Sequence, residues 1–104
     1  MNEPRFRERP ETKQPSQVYA AQHVGPGSRA HIQEIARCCD DGAEAIFIER
    51  WNLIMVRWTY SGMGLPTTQY TAIKQNDWLV YFVNNDSMGE MADDQFHRLF
   101  ERIK

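Results

Sequence analysis

Apolar positions recur along this chain with two different periods. Ile32, Ile35, Ala36 and Cys39 fall at i, i+3, i+4 and i+7, the single stripe of an amphipathic helix over residues 29–39. Ser28 stands at its start as an N-cap, Arg37 suits the dipole near its end, and Gly42 is placed to follow the last turn. The stripe puts Cys39 in the core and Cys38 nearer its edge. Phe96, Leu99, Phe100 and Ile103 repeat the same spacing. They predict a C-terminal amphipathic helix over residues 93–103, with Asp93 and Asp94 at its beginning and Arg98, Arg102 and Lys104 toward its end.

The rest of the apolar content lies in short runs rich in β-branched and aromatic residues. Residues 17–24 read as a first strand, ended by Gly25-Pro26-Gly27. Residues 45–49 and 53–60 follow, joined by a turn at Arg50-Trp51-Asn52. Residues 67–73 and 78–83 are next, and a short extended piece spans 88–91. Gly62-Met63-Gly64 sits in a loop, but a phosphate-cradling glycine loop opens a helix, whereas threonine and tyrosine follow here. The loop is therefore a hairpin connection. The order β-α-β-β-β-β-α, with a short sixth strand before the last helix, predicts an α+β domain with a small antiparallel sheet. Residues 78–83 are apolar on both faces, so that strand belongs inside the sheet or inside a small barrel. Two short helices cover one face of such a sheet. Either the sheet is barrel-like or its second face meets a partner.

Composition bounds the rest. The chain has 104 residues, 41% hydrophobic and 25% charged, which suits one soluble globule. Its longest near-apolar run, residues 78–83, is far short of the roughly twenty needed to span a membrane. Residues 1–15 carry three prolines, four cations and three glutamates, with only Met1 and Phe6 apolar. Such a segment predicts a disordered tail without a secretory leader, and a single domain over residues 16–104. Cys38 and Cys39 are neighbours, with Cα atoms about 3.8 Å apart, too close for an ordinary disulfide between them. His23, His31 and His97 have no zinc-type spacing. No metal or cofactor is expected.

The order of motifs resembles a family of short, largely uncharacterised tailed-phage proteins. The matching residues are Val18-Tyr19-Ala20-Ala21-Gln22, then Ile32 and Ile35, then Asp77-Trp78-Leu79-Val80, Gly89-Glu90, and Phe96 with Phe100. The likeness spans roughly residues 16–103. Where the family has glycine before Asp-Trp, this chain has Asn76, which tolerates a left-handed turn. Met91-Ala92-Asp93 stands where many members carry Tyr-Pro-Cys, and Glu101-Arg102-Ile103 where the family closes with Glu-Pro-Val. The resemblance implies phage origin and action in the host bacterial cytoplasm, and it carries no catalytic residue. Its motif residues look like fold determinants, with Asp77 bonding the local turn and Trp78 anchoring the sheet.

Several functions can be weighed on this basis. An enzyme is not expected, because no nucleophile stands beside a base; His31 and His97 would approach each other only if both helices covered one sheet face. Cys38 lies beside Arg37, yet a helix C-terminus disfavours a thiolate. Trp51, Trp58, Tyr60, Tyr70, Trp78 and Tyr81, with Arg50, Arg57 and Lys74, would suit a nucleic acid. However, the chain is net −2 and the part after the tail −3, which argues against one. Three tryptophans, four tyrosines and five methionines are the residue types enriched at interface centres. The expected partner-binding residues are Arg50, Trp51, Arg57, Trp58, Tyr60, Met63 and Tyr70. They suggest a non-catalytic protein that occludes a host protein, such as a bacterial defence component, with a homodimer as the other partnership to consider. The alternative is a homo-oligomeric sponge for a nucleotide-like signal, which requires Arg50 and Arg57 to face one cavity with Trp58 and Tyr60. A minor virion or assembly role is the third reading.

Overall fold

A computed structural model of the chain describes residues 5–8, 17–60 and 64–102. Its elements are β1 (Arg5–Glu8), β2 (Gln17–Gln22), α1 (Arg29–Cys39), β3 (Glu44–Ile48), β4 (Leu53–Tyr60), β5 (Thr67–Lys74), β6 (Trp78–Phe82), β7 (Ser87–Met91), α2 (Asp93–Leu99) and β8 (Phe100–Arg102). The protein is α+β, but it has two antiparallel sheets instead of one. Five strands run in the order β7-β6-β2-β1-β8 and three in the order β3-β4-β5. Neither closes into a barrel.

The strand with two apolar faces organises this arrangement. β6 lies inside the five-stranded sheet, between β7 and β2. Its Leu79 is fully buried among Ala21, Ile32, Ile35, Ala36, Ile54, Val56 and Ile73, with Tyr81 packed against that cluster. Its Val80 points the other way, into a second core of Phe6, Val18, Ala20, Phe96 and Phe100, where Trp78 and Phe82 also pack. The first core joins α1 to both sheets and the second holds α2. The two helices therefore cover opposite faces of the five-stranded sheet, so the condition under which His31 and His97 would approach each other is not met. Trp78 stacks on Phe96 with ring centroids 3.9 Å apart, and its Nε1 donates to Asp93 Oδ1 at 2.8 Å.

Helix α1 also caps an edge. Arg29, Gln33 and Arg37 repeat every four residues along one flank. Arg29 donates to the Ala45 carbonyl, the Ala45 amide donates to Gln33 Oε1, and Arg37 donates to the Ala43 carbonyl. At Ala45 the outward amide and carbonyl of β3 are thus satisfied by side chains, which disfavours a further strand at that point of the edge. Ser28 holds the N-cap position of α1 but makes no side-chain capping bond. A 3-10 turn at Pro26–Ser28 precedes α1, and the Ser28 hydroxyl instead donates to the Gly25 carbonyl and accepts from the Val24 amide. Helix α1 ends at Asp40, whose Oδ1 accepts from the Gly42 amide, rather than on a left-handed Gly42. Cys39 is half-buried, not a core residue.

Two expectations fail together at the termini. Residues 5–8, read as tail, form β1, which pairs with β2 and with β8. Phe6 is only 9% exposed and meets Phe96 edge to face at 4.9 Å. The remainder of the expected tail, residues 1–4 and 9–15, lies outside the described residues. The last helix ends at Leu99, because Phe100 turns into β8 and gives its backbone to β1. A partner strand satisfies those groups as well as another helical turn would, and Phe100 still reaches the core. Leu99 is 37% exposed, and Ile103 lies outside the described residues.

One end of the molecule is pinned by a buried histidine. His23, with no exposed surface, follows β2. The Gly25 amide donates to His23 Nδ1 at 3.1 Å, so Nε2 carries the proton and donates to the Asn52 carbonyl at 3.0 Å. Its backbone joins the β5–β6 turn: the His23 amide donates to the Asp77 carbonyl, and the Asn76 amide to the His23 carbonyl. Asn52 and Asn76 supply the left-handed residues that these turns require, with φ of 50° and 72°.

Phe6 distinguishes a strand from a tail. Phe6→Ala should lower stability by about 3 kcal/mol in urea unfolding, as deletion of a buried ring does. A change below about 0.5 kcal/mol, as at an ordinary surface position, would return residues 5–8 to a tail.

Candidate functional site

At the end opposite His23 the two sheets part. Three elements frame the gap. Helix α1 brings Cys39 and Asp40, β4 brings Trp58, Thr59 and Tyr60, and the β6–β7 turn brings Asn85 and Asp86. Together they line a cleft of about 530 Å³.

Strand pairing places the aromatic wall. Trp58 and Tyr60 are two residues apart on β4, so both side chains leave the same face. Their rings meet edge to face at 6.2 Å and 72°. Trp58 is partly buried against the core, and its Nε1 donates to Thr71 Oγ1 at 3.0 Å. Tyr60, at the strand's end, is 50% exposed.

The carboxylates are held from behind. Asp40 Oδ1 accepts from the Gly42 amide and Oδ2 from the Thr59 amide at 2.9 Å, which ties the end of α1 to β4. Asp86 adopts a left-handed conformation, φ 49°, which Asp tolerates better than most residues. Its Oδ1 accepts from the Tyr81 hydroxyl at 2.7 Å. That hydrogen bond, then burial and the charge of Asp86, pushes the Tyr81 phenol up to about 12. Burial first, then Asp86 and Asp40, pushes the Cys39 thiol up as well. The cleft is a negative field with an aromatic wall, and it disfavours both a thiolate and a bound anion.

A smaller notch of about 190 Å³ adjoins it, where Arg57 and Thr68 meet Asp40. Arg57 lies on the outer face of the three-stranded sheet, opposite Glu44 on one neighbour and Tyr70 on the other. Its guanidinium is 3.2 Å from the Glu44 carboxylate, both half-exposed, a pair worth about 0.5 kcal/mol at a surface. In the next row of this face Ile46 lies opposite Met55, and Met55 opposite Ala72. Ile46 is 57% and Tyr70 66% exposed. The second sheet face anticipated from the strand pattern belongs, in this fold, to the small sheet.

Of the seven residues singled out from sequence, Arg57, Trp58, Tyr60 and Tyr70 gather at this one end. Arg50 and Trp51 form the β3–β4 turn at the pinned end, where the Arg50 guanidinium stands 5.8 Å over the indole and Trp51 is 62% exposed. Met63 lies outside the described residues. The nucleotide-sponge geometry is therefore not favoured. Arg50 is at the far end of β4, Arg57 faces the outer notch, and the cleft holding Trp58 and Tyr60 is walled by two carboxylates. Asp40, Asp86 and Cys39 were missed as cleft residues. Asp40 reads in sequence as a solvated helix exit and Asp86 as part of a turn cluster, and no spacing rule joins positions so far apart.

Comparison with protein-family models, curated proteins and solved structures finds no match. Among the described residues there is no group of three or more His, Cys, Asp or Glu side chains placed to hold a metal. No helix there is long and apolar enough to cross a membrane.

The Tyr81–Asp86 bond has a pH signature. The folded-state pKa lies above the ordinary value of 10.0. Its contribution to stability is complete below about pH 10 and fades as pH rises toward 12. A phenolate absorbance titration should show one tyrosine ionising near 12, and Asp86→Gly, which removes the acceptor and accepts the left-handed backbone, should bring it back toward the ordinary value. An unchanged titration in that variant would mean that the bond is not formed.

Proposed function

We propose that this is a small phage-encoded, non-catalytic binding protein that acts in the host cytoplasm by occluding a host protein, such as a defence component. Its contact surface is the Arg57–Trp58–Tyr60–Tyr70 end of the three-stranded sheet. The observation that carries this reading is the exposure of apolar and aromatic side chains on both faces of this sheet: Ile46 at 57% and Tyr70 at 66% on the outer face, and Tyr60 at 50% on the cleft side at the strand's end. Tyrosine, tryptophan and arginine dominate the energetics of protein interfaces. The acidic cleft beside them adds charge selectivity, which favours a partner presenting a basic residue over one presenting an acid.

Affinity capture from a bacterial lysate tests this, with the variants as the discriminating step. The wild-type chain should retain a host protein in stoichiometric amount. Tyr60→Ser with Tyr70→Ser should weaken that capture at least roughly tenfold, as expected when interface anchors are removed. Trp51→Ala, at the opposite end, should leave it unchanged. Loss through Trp51→Ala alone would move the contact surface to the pinned end. A bare oligomer carrying a nucleotide would replace this reading with the sponge.

A further inference from the structure

We propose that the open-end cleft is a binding site for a guanidinium group, the head of an arginine side chain. This deepens the docking reading and rests on it only for the source of that arginine, because the chemistry of the cleft stands by itself.

Four side chains carry the inference. Trp58 and Tyr60 give the aromatic wall, and Asp40 and Asp86 face the same space. Each carboxylate is already oriented, Asp40 by two backbone amides and Asp86 by the Tyr81 hydroxyl. A carboxylate has about four acceptor positions, so both retain capacity for incoming donors. The orienting bonds are made before any ligand arrives, which reduces the ordering cost of binding.

The charge balance selects the ligand. Among the described residues lining the cleft there is no Lys, Arg or His. Arg57 lies in the adjoining notch with its guanidinium 3.2 Å from Glu44. An anion would meet two carboxylates, and a neutral group would leave their charges uncompensated. An ammonium satisfies the charge but stacks poorly. A guanidinium is planar, packs on an aromatic face and offers several N–H donors to carboxylates at once. The cleft volume of about 530 Å³ holds such a head group with part of the chain that bears it, being within the usual range of roughly 300–1,000 Å³ for ligand sites.

The test uses the full chain and three probes: a blocked Gly-Arg-Gly peptide, its citrulline counterpart and methylguanidinium. Binding is followed by the indole N–H resonance of Trp58. The arginine peptide should shift that resonance saturably, while the neutral citrulline peptide should not. Asp86→Asn should weaken binding roughly tenfold or more, as loss of one charge-assisted contact does. Asn tolerates the left-handed backbone and keeps an acceptor for Tyr81, so the fold is preserved; Asp40→Asn is the second variant. Binding of the peptide alone supports the site and assigns it to arginine on a protein chain. Equal binding of methylguanidinium supports the site and assigns it to a free small molecule. The inference is overturned if neither cation binds saturably, if citrulline binds as well as arginine, or if both Asp variants bind like the wild type. The docking reading fails on a different result, unchanged lysate capture by the Tyr60 and Tyr70 variants, so the two failures are separable.

Discussion

The imidazole of His23 makes two hydrogen bonds that only its neutral Nε2–H form can make together, accepting from the Gly25 amide and donating to the Asn52 carbonyl. Those partners belong to different parts of the fold. Gly25 begins the connection from β2 to α1, and Asn52 ends the turn between β3 and β4. The backbone of the same residue bonds Asn76 and Asp77 between β5 and β6. One fully buried polar residue therefore gathers three turns and holds the two sheets together. Phe47 closes over it edge-on at 5.9 Å. A buried imidazole lacking either partner would forfeit its desolvation cost of about 1–3 kcal/mol, so the turns and the ring specify one another.

Pinning one end shapes the other. With β4 and β6 anchored near Asn52 and Asp77, α1 packs against β2 and β6 of one sheet and β3 and β4 of the other. The apolar stripe of α1 fills the space between them as far as Cys39. Past that point Asp40 reaches the Thr59 amide, the β6–β7 turn meets Cys39, and the cleft opens. The polar flank of α1 meanwhile spends Arg29, Gln33 and Arg37 on the edge of β3, leaving the outer face of the small sheet uncovered. The exposed patch and the acidic cleft are two consequences of one placement of α1.

Much of this was legible in the chain. The helix over Arg29–Cys39 follows from its period, the strand Leu53–Tyr60 from its run of β-branched and aromatic residues, and the two apolar faces of residues 78–83 foretold an interior strand. Asn76 takes the left-handed conformation that asparagine tolerates. The termini were misread because each depends on the other. Phe6 among prolines and charges carries no strand signal, and Phe100 fits a helical stripe as well as a strand core until β1 is there to pair with it. His23 was illegible for the same reason, since three of its four partners, Asn52, Asn76 and Asp77, are distant in sequence. Trp58, Tyr60, Tyr70 and Arg57 were singled out by residue type, whereas the proximity of Asp40 and Asp86 to Trp58 and Tyr60 emerges only from the fold.

The most direct test of the pinned end is the unfolding free energy of His23→Phe, measured by urea denaturation against the wild type. Phenylalanine keeps the ring and its packing on Phe47 but removes both hydrogen bonds. If His23 holds the sheets together, the variant loses about 2–3 kcal/mol, the sum expected for two bonds to partly buried backbone groups. A loss below about 0.5 kcal/mol, typical of a neutral surface change, would show that the sheets are held by apolar packing alone and would contradict the account.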